Sequence, residues 1–153
     1  MPTLATSTPS SEDVERRVAV LSALVGELRG RRVLVAGGGP LAARLLEQQP
    51  DELAACEVPA EPEGARFLPG TMAAGWKWHP REVVVLATGS GDVADPFPEI
   101  AAACRLATER VVAYFAGHDP ARIERLFRLA GAEPLRTDQV PGGTVHVARP
   151  PAG

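Results

Sequence analysis

The stretch VLVAGGGPLAAR, residues 33–44, decides the fold. Its four leading residues are apolar and half of them β-branched, which reads as a short buried strand, and three consecutive glycines then break it. Pro40 has the fixed φ favoured at a first helical position, and Leu41, Ala42, Leu45 and Leu46 follow on one helical side until Pro50. Glycine directly after a buried strand lets the backbone turn tightly and approach a ligand, while the helix behind it presents unsatisfied N–H groups. Gly37, Gly38 and Gly39 are therefore the first candidate binding residues. The run is not GxGxxG, because Ala42 occupies the third glycine's position, and no GxxxxGKS/T sequence supports a P-loop.

Outward from this unit the alternation continues. Upstream, Val14, Val18, Leu21, Val25 and Leu28 make the apolar stripe of an amphipathic helix starting at Glu12, with Ser10 or Ser11 as cap and Gly30 as stop. Residues 1–11 are rich in Ser, Thr and Pro with almost nothing to bury, and are expected to be a disordered tail ahead of a single domain over 12–150. Downstream, strands are expected over 53–58, 66–68, 82–87 and 110–116, and helices over about 99–108 and from Pro120 to Gly131. Asp119 before Pro120 is a helix cap followed by a first-position proline. Two last runs, 134–140 and 144–149, flank Pro141-Gly142-Gly143 and read as a β-hairpin. Such alternation requires an α/β architecture of three layers, a mostly parallel sheet of about seven strands closed by an antiparallel hairpin. Ligands bind beyond the carboxyl ends of the strands in such sheets.

Composition narrows the function classes. With 153 residues, 45% of them hydrophobic, the chain can bury one core without disulfides or metals, and no metal-ligand cluster is expected. The formal charge of -3 argues against general nucleic-acid binding. Cys56 and Cys104 stand in apolar surroundings without CxxC spacing and read as buried thiols. The apolar run from Val18 to Gly26 is too short to cross a bilayer, so no membrane association and a cytoplasmic location are expected. The remaining partner classes are a small-molecule substrate or another protein, with self-association left open.

Glu57 ends the next predicted strand and lies twenty positions after Gly37, where a carboxylate can hold two ribose hydroxyls. Other polar groups have structural readings beside functional ones. Trp76 and Trp78 in TMAAGWKWHP plug a gap or form a stacking surface, with His79 beside them. His118 and Asp119 follow a strand end, where Asp119 is the expected cap. Arg122, Arg125 and Arg128 read as a solvated helix face or one for an acidic partner. The loop from Thr88 to Pro98 contains Ser90, Asp92 and Asp95 but no acid–base pair. No residue is assigned a catalytic role.

A leading helix, a strand–glycine turn–helix unit, an acid ending the second strand, further alternating units and a final hairpin resemble the class I S-adenosylmethionine-dependent methyltransferase fold, which is Rossmann-like, over residues 12–150. Gly37, Gly39 and Glu57 match that family's pattern residue by residue. Val35 stands where the family usually has an acid, Leu41 replaces its last glycine, and Thr71 takes the place of the acid that often meets the adenine edge. The resemblance implies S-adenosylmethionine as cofactor and a small-molecule acceptor, or a non-catalytic methyltransferase-like partner or scaffold with weakened cofactor binding. GGGPLAAR followed by VVVLATGSGDV also resembles the dinucleotide-binding domain of precorrin-2 dehydrogenases (siroheme synthases), which implies NAD instead.

Overall fold

The computed structural model describes residues 11–37, 39–57, 64–75, 77–89 and 95–151, and only the backbone of Ser11, Gly39, Thr88 and Gly89. The expected tail lies outside the described residues except for Ser11, which already belongs to the first helix. The elements run α1 (Ser11–Val25), β1 (Arg32–Ala36), α2 (Gly39–Leu46), β2 (Glu52–Cys56), β3 (Arg66–Phe67), a 3-10 turn (Met72–Ala74), β4 (Arg81–Gly89), α3 (Phe97–Leu106), β5 (Ala107–Ala116), α4 (Pro120–Leu129), β6 (Glu133–Val140) and β7 (Gly143–Arg149).

All seven strands join one sheet in the order β3-β2-β1-β4-β5-β7-β6. Neighbours from β3 to β5 pair in parallel, and β7 is antiparallel to both β5 and β6. Alternate residues of each inner strand face opposite layers. Leu34, Ala54, Val84, Leu86, Val111 and Phe115 pack with the buried faces of α3 and α4. Val33, Val35, Val83, Val85, Val112 and Tyr114 pack with α1 and α2. Burial on both faces explains why these strands are unbroken apolar runs. Each fully buried Leu or Phe contributes roughly 1.5–3 kcal/mol.

Element types agree with the sequence reading, and several boundaries do not. The first helix stops at Val25 rather than Gly30: Gly26 takes φ +81°, and the guanidinium of Arg110 donates to the Val25 carbonyl. Leu28 nevertheless stays fully buried, because the chain beyond the helix still crosses the core. The strand expected from Arg110 begins at Ala107, directly at the end of α3, and α3 itself starts at Phe97, where Asp95 Oδ1 accepts the Phe97 N–H at 3.0 Å. β2 ends at Cys56, so Glu57 lies just past the strand. Asp119 caps α4, accepting the Ala121 N–H at 3.1 Å. The hairpin turns on Pro141 and Gly142, with Gly143 already in β7.

The amino-terminal ends of the strands are stapled by ion pairs. Glu82 at the start of β4 accepts from the Arg32 backbone N–H at 2.7 Å and from its guanidinium at 2.7 and 3.2 Å. Those hydrogen bonds hold its carboxyl down at about 2. Buried Arg81 donates to Glu52 Oε1 at 2.7 Å and to the His79 carbonyl at 2.9 Å. Burial pushes the Glu52 carboxyl upward, but the guanidiniums of Arg81 and Arg66 outweigh it and leave it below the ordinary carboxylate range.

Candidate functional site

β1 leads to β2 on one side while β4 lies on its other side, so the crevice above the carboxyl ends of β1 and β4 is the topological switch point of the sheet. Three of the segments singled out above meet at this end. Gly37 is buried with φ +76°, a left-handed conformation that glycine adopts without strain, and its N–H donates to the Cys56 carbonyl at 2.7 Å. That bond ties the glycine turn to the end of β2. α2 starts at Gly39, so its first N–H groups face the same end. Gly38 lies outside the described residues.

Glu57 follows Cys56 in a left-handed conformation, φ +56°, which is uncommon for a residue with a side chain. Its carboxylate oxygen Oε2 accepts the Met72 backbone N–H at 2.8 Å. The half-buried acid is therefore tied to the turn after β3 through one oxygen, and a carboxylate has two. Thr71 occupies the cap position of that turn with its side chain exposed and making no capping bond. Met72 anchors the turn from below, fully buried against the α3 layer. The Met72 N–H is the contact that sequence reading missed. A buried Met after an exposed Thr is its only trace, and nothing local marks the N–H as Glu57's partner fifteen residues away.

Other residues fall elsewhere. His79 stands two positions before β4, at the amino-terminal end of the sheet, with an exposed side chain; this places it away from the switch point. Trp78 is half-buried against the α3 side, its ring so close to Gly75 that an added Cβ would lie 2.3 Å from Cε3. This is a plugged gap. Trp76, Ser90 and Asp92 lie outside the described residues. His118 meets the Phe115 ring edge-on at 6.0 Å. Cys56 and Cys104 are buried thiols, each pushed up to about 12 by desolvation, and neither is a nucleophile at neutral pH. Among the described residues no three His, Cys, Asp or Glu side chains converge to hold a metal, and no helix is long and apolar enough to cross a membrane.

The strand order with its antiparallel seventh strand is a fold that solved structures share. The magnesium protoporphyrin IX methyltransferase ChlM from Synechocystis PCC 6803, with bound SAH (S-adenosylhomocysteine), superposes with a TM-score of 0.72 at 15% identity, over 95% of this chain and 90% of its own. The chain has the class I methyltransferase fold. The N-methyltransferase NodS from Bradyrhizobium japonicum WM9 gives a TM-score of 0.74 at 11% identity, over 92% and 98%. The cyclase SpnF shares the methyltransferase fold as well, with a TM-score of 0.69 at 12% identity, over 91% and 81%. No protein-family model and no curated protein sequence matches the chain. A cyclase among these neighbours means that the fold alone does not fix the reaction.

Proposed function

We propose that the protein binds S-adenosylmethionine at the switch point and transfers its methyl group to a small molecule. The observation that carries this reading is the pair of hydrogen bonds, Gly37 N–H to Cys56 and Met72 N–H to Glu57, that gathers the glycine turn, the acid and the turn after β3 at one end of the sheet. The residues present fit the adenosyl half of the cofactor. Glu57 retains a second carboxylate oxygen for the ribose hydroxyls, Gly37 brings backbone close without a side chain, and Thr71 stands beside the Glu57 partner where the adenine edge would lie. When bound, the cofactor supplies an electrophilic methyl group on a sulfonium. The chain's own work is then to orient the ribose and hold an acceptor in line, and positioning of that kind needs no dedicated acid or base.

One feature favours a second reading, a non-catalytic domain with weakened cofactor binding. β1 carries no carboxylate: Val33, Leu34, Val35 and Ala36 are all fully buried, and Val35 packs toward α1 and α2. No acid on that strand reaches the cofactor's amino group. The methionine half is therefore held less firmly than the ribose half.

Calorimetric titration with SAH tests both readings. The first expects saturable binding, and in Glu57→Gln, which keeps shape and an acceptor oxygen for Met72 but loses the charge, affinity falls at least about tenfold. Saturation at about 100 times the dissociation constant adds roughly 2.7 kcal/mol, several degrees in Tm for a domain of this size. Unchanged affinity in Glu57→Gln removes Glu57 from the site. Absence of SAH binding leaves the scaffold reading, and a thermal shift with NAD alone replaces both with a dinucleotide site.

A further inference from the structure

At the opposite end of the sheet the end of α3, the starts of β4 and β5 and the end of β7 frame a cavity of about 630 Å³. This is within the range of small-molecule sites, roughly 300–1,000 Å³. β4 is nine residues long and rises about 3.3 Å per residue, so a ligand here cannot reach Glu57. The floor is apolar: buried Cys104 and Ala107, with the rings of Pro80, Pro150 and Pro151 as walls. The rim is cationic, with Arg105, Arg149 and Thr108 in the lining, and none of the described lining residues is an acid.

We propose that this cavity is a second ligand site, for an organic anion with an apolar body, whose charged head is held by Arg105 and Arg149 and whose body lies against the prolines and Cys104. Three observations point this way. The side chains of the proline walls and of the buried Cys–Ala floor offer no donor stronger than the weak Cys104 S–H, so the bulk of the ligand is apolar. Arg149 pairs with Glu133, at 2.9 Å, in an ion pair whose side chains are 64% and 61% exposed, and a pair so open to water contributes little and exchanges readily for a ligand anion. Arg105 stands in the last turn of α3, whose carbonyl end repels a bare anion, so its charge offsets the helix there and Arg149 completes the cationic rim. The Cys104 thiol, raised to about 12 by burial, leaves binding here non-covalent. Nothing in this site depends on the adenosyl reading.

The experiment uses the full chain and two fluorescent probes of similar body, the anionic 8-anilinonaphthalene-1-sulfonate and the neutral N-phenyl-1-naphthylamine. The anionic probe is expected to bind saturably, one per chain, without displacement by SAH. Arg105→Gln with Arg149→Gln should weaken it at least about tenfold, since both charge-assisted contacts are lost, while the neutral probe is unaffected. Arg149→Lys should retain most of the anionic probe's affinity. Thr108→Trp, an exposed rim position, should exclude both probes while the unchanged melting temperature shows an intact fold. Binding that does not saturate, that SAH displaces, that keeps its affinity in the double Gln variant, or that survives Thr108→Trp overturns the proposal.

Discussion

His146 in β7 gives the protein a stability that depends on pH in a narrow window. Its imidazole is 2% exposed, with Nε2 2.9 Å from Thr144 Oγ1, Nδ1 3.2 Å from Thr137 Oγ1, and the Phe115 and Phe127 rings about it. Burial lowers its pKa from 6.5 to about 4, against a small opposing pull from Glu124. Both threonine hydroxyls can accept as well as donate, so protonation breaks neither hydrogen bond; desolvation of the charged ring is the cost. The folded state therefore holds fewer protons than the unfolded chain between about pH 6.5 and 4, and stability falls as pH drops through that window. Two titration curves with those midpoints differ by about 2 kcal/mol at about pH 5 and by almost nothing at about pH 7.5. Urea unfolding at those two pH values, followed by tryptophan fluorescence, measures the loss. Glu82, with a carboxyl near 2, loses its own contribution mainly at more acid pH, and so barely enters. His146→Gln, less stable at both pH values, should lose this part of the pH dependence. A parent protein equally stable within about 0.5 kcal/mol at the two pH values, or a variant with the parent's full dependence, refutes the assignment.

Three further outcomes follow from single contacts. Gly143→Ala places a Cβ 2.1 Å from the Phe115 carbonyl oxygen across the β5–β7 ladder, and should cost about 1–3 kcal/mol in thermal or urea unfolding. Asp119→Ala removes the cap of α4 and should cost about 1 kcal/mol, with most of it recovered in Asp119→Asn, which keeps an acceptor for the Ala121 N–H. Neither Cys56 nor Cys104 should react with an aromatic disulfide reagent at about pH 8 in the folded protein, and both should react in denaturant, because burial raises each thiol to about 12.

How far the sequence discloses such contacts depends on their range. The glycine break after Ala36, the Asp119-Pro120 cap and the Pro141-Gly142 turn are local chemistry, and each acts where its residues stand. Two-sided burial of β4 is likewise written in its apolar run. The end of α1 is not local: Gly26 alone does not distinguish a stop there from one at Gly30, and the contact that marks it comes from Arg110, 85 residues on. Glu57 shows the same limit at the site. Its spacing from the glycine turn makes it a candidate ligand residue, but its left-handed backbone and its bond to Met72 exist only because β3 and the turn after it pack beside β2. Periodicity carries no information about which backbone N–H a carboxylate will meet.

The two ends of the sheet differ in how their carboxylates are compensated. At the amino-terminal end, Arg32, Glu82, Arg81 and Glu52 spend their charges on one another, locking the starts of β1, β2 and β4 in register. At the carboxyl end, Glu57 is satisfied by one neutral backbone N–H, and no salt bridge to it is formed among the described residues. A carboxylate so lightly compensated can still take hydrogen bonds from a ligand, whereas Glu52 and Glu82, already bound by guanidiniums, have much less to offer. Removing the Glu57 side chain therefore unties one turn and costs about 1 kcal/mol, while replacing Glu82 leaves the Arg32 backbone N–H and guanidinium without their acceptor. The carboxylate that contributes less to the fold is the one that keeps hydrogen-bonding capacity to spare.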